Sequence, residues 1–413
     1  MRIKIWQGAN QIGGNCIEIS SERTRIVLDA GVPLDELEER RANGGKAGEP
    51  PPVPGLFAPG DPVAGVFLSH AHADHYALLD SMSSDVPVWM TKETSKVMLA
   101  LRVFVEHQRK APVYSSCAKR ILTRFRVGDM VLTLLPVDHS VAGAAGLLIE
   151  AEGKRVVYSG DLRLHSRDAS WQTWIDRLGS DGGVDALITE GTLYGRSKRV
   201  TRTEEDVQAG IVKLMKERKG IGLVRFSPTN LDRFLSVHRA ARKLGRKLVV
   251  DLYGAFLHHL LRPRGIGRAD IGFLPSPKGR EGLMKKIRNY EASVVSPQEL
   301  LAEPHRYLVA FRPRMFDDVF DGALPQDSAC IFSYWSGYLK QKSEKELQTR
   351  LDRCGCTTIP LHSGGHITPD DLERFIAKLN TKAIIPVHTE ASLQLKGQFN
   401  QTRLLENNQH TEV

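Results

Sequence analysis

No stretch of the 413-residue chain reaches the roughly 18 consecutive apolar residues of a spanning helix, so a membrane span is not expected. The opening "MRIKIWQGANQIGGNCIEI" alternates like a strand, is interrupted by glycines and lacks an apolar leader core, so no secretory signal is expected. Cysteine is scarce. Cys16, Cys117, Cys330, Cys354 and Cys356 form an odd, scattered set. That excludes a disulfide framework and makes a reducing cytoplasm the expected location. Cys354 and Cys356 stand one residue apart with no second pair at zinc-site spacing, so no chemistry is expected of them. Negative charge is missing from one place in particular. Residues 195–290 hold 23 Lys and Arg against 8 Asp and Glu, a balance of +15, inside a chain whose remainder sums to −6. Solvated helix faces account for many single cations, but a concentration this uneven points to a face for a polyanion.

The composition itself, 41% hydrophobic and 25% charged, is that of a soluble globular protein. The length exceeds one ordinary core and implies two domains, or one domain with a large insertion. The first half is a series of short apolar runs separated by glycines and charged turns. These include "RIKIWQ", "NCIEIS", "RIVLDAG", "GVFLSH", "VPVWM", "MVLTLLPVDHS", "AGLLIEAEG", "RVVYSGD" and "DALITEG", and they read as strands. Residues 34–63, rich in Pro and Gly, read as a mobile loop. After Tyr194 the pattern changes. Thr203 can cap a helix running to Gly220, "IGLVRF" reads as a strand, Asn230 opens a second helix to Gly245, and "KLVVDL" follows. With "YLVAF" and "ACIFSY" this alternation predicts a small parallel α/β sheet. The end, from "TTIPLHSGGHI" to "AIIPVHTE", reads as strand, turn, helix and strand, with Thr368 as cap and Pro369 in the first helical position.

One stretch carries the chemistry. "SHAHADH" places His70, His72, Asp74 and His75 within six positions. In an extended segment His70, His72 and Asp74 project to one side, and His75 breaks the alternation as at a turn. Imidazoles with a carboxylate suit Zn, Mn or Fe rather than a thiolate-loving ion. Apolar strands deliver further metal-type residues at their ends: Asp29, His139, Asp161 and His388. Each alone would be a cap or a turn residue. Together they make a two-metal site in which Asp161 can bridge ions about 3.5–4 Å apart.

Asp29, "HAHADH", His139 and Asp161 resemble the hydrolytic, two-metal form of the metallo-β-lactamase superfamily. "TEGTLYG" (189–195), the basic α/β insertion, "HSGGHI" (361–366) and "PVHTE" (386–390) narrow the resemblance to the β-CASP nucleases, which include ribonuclease J and the pre-messenger-RNA 3′-end endonuclease. The shorter prokaryotic members are the nearer likeness. The resemblance implies an α/β fold, a metallo-β-lactamase αββα sandwich with an inserted β-CASP parallel α/β domain. Its implied segments are 1–195 and 355–413 for the sandwich and 196–354 for the insertion. It implies two zinc ions, with manganese as the alternative. His70, His72 and His139 would hold one ion, Asp74, His75 and His388 the other, and Asp161 would bridge. Asp29 would orient ligands from behind. Asp74, Glu190 and His366 would be catalytic, with His366 contacting the scissile phosphate or protonating the leaving oxygen. This chain reads "EGTLYG" where the family usually has E-S-T-Y-G, so the departure falls on a hydroxyl at residue 191 and not on the acid.

The implied substrate is single-stranded RNA, cleaved internally or from the 5′ end. DNA ranks behind it, because DNA-acting members usually lack a histidine at the position of His388. The implied assembly extends to a homodimer. Tyr253, Phe256, Tyr334, Trp335 and Tyr338 are candidate stacking platforms, the first two equally candidates for core. Ser227, Thr229 and Arg233 at a strand–helix junction, and Arg312 and Arg314 after a strand, are candidate phosphate contacts. Two other classes compete. A non-catalytic scaffold would have lost metal ligands, and this chain keeps them all. A lactonase or thioesterase would have no use for so basic an insertion.

Overall fold

The computed structural model describes the chain apart from residues 38–48, 105–117, 168, 197–201, 276–286, 288–289 and 291–292. Cys117 and part of the presumed loop 34–63 lie outside the described residues. The chain separates into two compact units, Met1–Arg199 with Gly365–Val413, and Val200–Gly364.

The first unit is built from two mixed sheets. Alternation along β1 (Arg2–Gln7) buries Ile3 and Ile5 completely and leaves Arg2 exposed. β1 pairs antiparallel with β2 (Cys16–Ser20) and β2 with β3 (Arg25–Leu28). β4 (Gly65–Phe67), β5 (Val88–Thr91) and β6 (Ala118–Lys119) then continue in parallel. The second sheet runs antiparallel through β7 (Arg124–Val127), β8 (Met130–Pro136), β9 (Ala145–Ala151) and β10 (Lys154–Tyr158). It ends in two parallel additions, Ala186–Glu190 and Ile384–Val387. Ile17, Leu28 and Phe67 from the first sheet meet Leu132, Leu147 and Ile188 from the second in one apolar core. The other face of the second sheet packs Leu148, Val157 and Leu187 against Trp174, Ile175, Leu372 and Phe375 of the helices Ser170–Ser180 and Pro369–Leu379. Thr368 caps the latter by accepting from Asp371 N at 3.1 Å.

The second unit holds an all-parallel sheet. Gly222–Arg225 sits between Tyr307–Ala310 and Ala329–Phe332. Lys247–Val250 pairs with Tyr307–Ala310 on one side and Ile271–Phe273 on the other, and Thr357–Pro360 pairs with Ala329–Phe332. Most of these strands are buried along their whole length, as expected when both faces are covered. The α/β class is the expected one: mixed sheets, plus a parallel sheet formed by residues that interrupt the first unit in sequence.

Three readings are corrected. The helix capped by Thr203 ends at Met215, not Gly220. Gly220 instead serves a close backbone approach, since a Cβ there would lie 2.3 Å from the Asp327 carbonyl carbon. The strand Thr357–Pro360 belongs to the parallel sheet, so the second unit runs on to Gly364 rather than stopping at 354. The described end of the presumed mobile loop is packed, with Val53 and Leu56 buried. Among the described residues no helix is long and apolar enough to cross a membrane.

Candidate metal centre

Strand ends of the first unit converge on one site. Asp29 follows β3, His70 follows β4, His139 follows β8 and Asp161 follows β10; Glu190 ends its strand, and His388 follows Ile384–Val387. Asp29 and His388 adopt left-handed backbone, with φ of 57° and 51°. Non-glycine residues hold that conformation at a cost of about 1–3 kcal/mol, and such strain collects where side chains must be aimed. Asp74 departs from the alternation expected of it, whereas His75 does lie on a turn. β4 ends at Phe67, and both residues lie on the short helix Ala73–Tyr76. Gly31 lets that turn approach, because a Cβ at residue 31 would fall 1.6 Å from the Asp74 carbonyl oxygen.

Two donor sets result. His72 Nδ1 lies 3.1 Å from both His70 Nε2 and His139 Nε2. Asp74 Oδ2 lies 3.2 Å from His388 Nε2 and 3.9 Å from His75 Nε2. Asp161 Oδ2 stands between the sets, 3.3 Å from His75 Nε2, 3.5 Å from His388 Nε2, 3.8 Å from His139 Nε2 and 3.9 Å from His70 Nε2. The buried His75 Nε2 and Asp161 Oδ1 have no hydrogen-bond partner among the described residues. Buried polar atoms left unpaired cost roughly 1–3 kcal/mol each, and a cation is the partner these would accept. Imidazole nitrogens with carboxylate oxygens fit a zinc-class ion.

The opposite edges of the rings are held by a set of partners of which only Asp29 is legible in the sequence. Asp29 is the hub. Its Oδ1 accepts from Ser69 N at 2.7 Å, and its Oδ2 accepts from Ser69 Oγ at 2.7 Å, His75 Nδ1 at 2.8 Å and Tyr158 OH at 2.5 Å. Because the Ser69 hydroxyl gives its hydrogen to Asp29, it can only accept from His70 Nδ1, 3.0 Å away. His139 Nδ1 donates to the Gly365 carbonyl at 2.6 Å. In the neutral ring each bond leaves the Nε2 lone pair bare and facing the cluster. Asp29 was the one partner of this kind named from sequence. Ser69 and Tyr158 carry hydroxyls without a pattern that would single them out.

Burial and neighbouring imidazoles hold His70 and His139 well below the usual histidine range, and burial pushes His72 down to about 4. These rings are therefore neutral, as ligands must be. Burial would also depress His75, but Asp161, Asp74 and Asp29 raise it well above the usual range. The carboxylates of the half-buried Asp74 and the buried Asp161 stay below theirs because His75 and His388 offset the desolvation. Beside these two donor sets, His366 Nδ1 lies 2.9 Å from Glu190 Oε2, which also receives Thr192 N at 3.4 Å. Glu190 Oε1 accepts from Leu162 N at 2.9 Å. Burial opposes protonation of His366, yet the Glu190 carboxylate pushes it up to about 9.

The candidate contacts of the second unit divide. Ser227 and Thr229 share a hydroxyl bond at 2.7 Å, and Arg314 is exposed. Arg312 pairs with Asp251 and stacks 4.9 Å from the Tyr253 ring. Tyr334 is half-buried against Phe332, and Tyr338 meets the exposed Trp335 edge-on. Tyr253 and Phe256 are core. Arg233 is a correction. It is 1% exposed and gives its guanidinium donors to Glu204 at 2.8 and 2.9 Å, to Ser333 O and Oγ, and to Ser363 O. No donor is left for a phosphate. Arg233→Ala would leave Glu204 charged and buried, so a loss of about 3–5 kcal/mol in unfolding free energy is expected by denaturant titration. Arg233→Lys should recover little, because an ammonium cannot reproduce the planar fork.

A beta-lactamase superfamily domain matches residues 24–227. Ribonuclease J of Helicobacter pylori (strain B128) is 22% identical over 401 residues, covering 93% of this chain and 55% of the relative. Probable RNase MJ4 of Methanocaldococcus jannaschii is 28% identical over 241 residues, covering 53% and 52%. The chain spans about half the length of these curated relatives. A solved structure of a protein of unknown function from Enterococcus faecalis V583 has the same fold, with a TM-score of 0.80 at 22% identity over 99% of both chains. Fold and site define a metallo-β-lactamase-fold hydrolase with a buried His/Asp metal-site cluster. The chain belongs to the metallo-β-lactamase superfamily and is distantly related, over most of its length, to ribonuclease J of the β-CASP group.

Proposed function

We propose that the protein is a zinc-dependent ribonuclease that hydrolyses phosphodiester bonds of single-stranded RNA. The observation that carries this reading is Asp161 Oδ2, within 3.3–3.9 Å of Nε2 atoms drawn from both donor sets. A carboxylate lying between two donor sets would suit a pair of ions acting on one water. In this reading His70, His72 and His139 hold one ion, Asp74, His75 and His388 hold the second, and manganese is the alternative metal. Bound there, the ions would supply a hydroxide near neutral pH and offset charge on the phosphorane-like transition state. Asp74, with a side chain 16% exposed, is the carboxylate placed to take up the proton of the attacking water. His366, with Glu190 holding its Nδ1, protonates the leaving oxygen. Met1–Arg199 with Gly365–Val413 is then the metallo-β-lactamase domain and Val200–Gly364 the β-CASP insertion, whose residues 200–290, with 20 Lys and Arg against 8 Asp and Glu, suit a polyanion. The names of the relatives support RNA as the substrate.

Metal analysis of the purified chain together with cleavage of labelled single-stranded RNA and DNA tests the proposal. Bound zinc or manganese and cleavage of RNA are expected, and a metal-free chain or one that cuts only DNA would overturn it. Comparing 5′-monophosphate with 5′-triphosphate RNA separates the two modes. An exonuclease prefers the monophosphate end, whereas an endonuclease is indifferent to it.

A further inference from the structure

We propose that Thr192 is a positioning residue that fixes the tautomer of His388, placing the ring proton on Nδ1 and presenting a bare Nε2 to Asp74 and Asp161. The proposal rests on the reading of His388 as a metal ligand and adds the group that makes it one.

The argument is a count of hydrogens. Thr192 Oγ1 lies 2.8 Å from His388 Nδ1 and 3.1 Å from the backbone carbonyl oxygen of the same residue. A carbonyl oxygen only accepts, so the single hydroxyl hydrogen goes to it. A lone pair of Oγ1 is then turned to Nδ1, and the only complementary ring is one that carries its hydrogen there. The competing arrangement is real. Nε2 lies 3.2 Å from Asp74 Oδ2, an acceptor that favours a proton on Nε2. To allow a neutral ring with Nε2–H, the Thr192 hydroxyl would have to rotate and abandon a buried carbonyl. The carbonyl belongs to a residue already strained at φ 51°, so one hydroxyl holds both the ring and the backbone that aims it.

The Thr192 hydroxyl is itself held in place. Thr192 is 6% exposed, and Thr389 Oγ1 donates to the Gly191 carbonyl at 2.8 Å, tying the two loops together. A Cβ at residue 191 would sit 3.0 Å from both Thr389 Oγ1 and Leu395 Cδ1. Glycine there lets the loop close until Thr192 reaches the ring. His70, His75 and His139 obtain the same tautomer from Ser69, Asp29 and the Gly365 carbonyl. Thr192 completes the set for the remaining Nε2 donor.

The experiment compares Thr192→Val, which keeps shape and loses the hydroxyl, with Thr192→Ser, which keeps it. The full chain is titrated with zinc against a chromophoric chelator. For Thr192→Val the weaker of two zinc affinities should drop by about 10–100-fold, the usual consequence of removing a ligand's supporting bond, and Thr192→Ser should restore it. Unchanged affinity in Thr192→Val, or equal loss in both variants, would overturn the proposal. Should the valine variant fail to fold, nitrogen NMR of histidine-labelled wild-type protein decides. His388, assigned by its loss in His388→Gln, must show a protonated Nδ1, and a bare Nδ1 would overturn the proposal. That readout does not require bound metal, so failure of the zinc reading and failure of the tautomer are told apart.

Discussion

His70→Ala combined with His72→Ala is expected to lower RNA cleavage by at least about 10³-fold, to the level of a metal-stripped sample. The reasoning is local. His72 Nδ1 is the atom on which the first donor set closes, 3.1 Å from the nitrogens of His70 and His139. With both rings gone, His139 alone remains of that set. A water held by one imidazole keeps a pKa far above neutral, and the nucleophile is lost. The fold should survive, because the buried His70 and the half-buried His72 are neutral rings whose removal leaves space but no unpaired charge. Zinc bound per chain should fall while the far-ultraviolet spectrum and the cooperative melt stay in place. A double variant that retains full activity would eliminate the metal mechanism altogether.

The positions that could be read in advance share one property: their chemistry limits which residue types can serve. His70, His72, Asp74, His75, His139, Asp161 and His388 stand out in a sequence because few other side chains can bind a metal, and apolar strands announce where His70, His139, Asp161 and His388 are delivered. The supporting positions have no such signature. Ser69 and Thr192 act through a single hydroxyl, and the group that orients His139 is the backbone carbonyl of Gly365, which no side-chain type announces. Local pattern also misplaced residues whose role is decided by distant partners. Arg233 sits at a strand–helix junction that suits a phosphate, but Glu204, 29 residues earlier in the chain, closes on it inside the second unit. Thr357–Pro360 reads as an ordinary strand, and only its pairing with Ala329–Phe332 assigns it to the parallel sheet. Asp74 is legible by residue type, yet the extended geometry expected of it gives way to a helical turn, shared with His75, that Gly31 makes room for.

His366→Ala should slow cleavage by about 10²–10⁴-fold, the range for loss of a positioned general acid, while leaving zinc content unchanged. Departure of an alkoxide from phosphorus needs a proton at the leaving oxygen, and His366 is built to carry one. Its Nδ1 is bonded to Glu190 at 2.9 Å, and the carboxylate raises the ring to about 9 against the opposing effect of burial. A group raised in this way is protonated below its shifted pKa and loses its proton as pH climbs through it. Activity that depends on the acid form therefore persists at neutral pH and declines on the alkaline side. Glu190→Gln removes the charge but keeps an acceptor for Nδ1. The ring should then release its proton nearer the ordinary histidine value of about 6.5, and the alkaline limb should move to lower pH. The two variants thus separate the roles. His366→Ala flattens that limb, since no acid remains to titrate, whereas Glu190→Gln keeps it and displaces it. An alkaline limb left in place by Glu190→Gln would show that His366 does not supply the proton. The decisive measurement is the pH profile of single-turnover cleavage, in which product release cannot mask the chemical step.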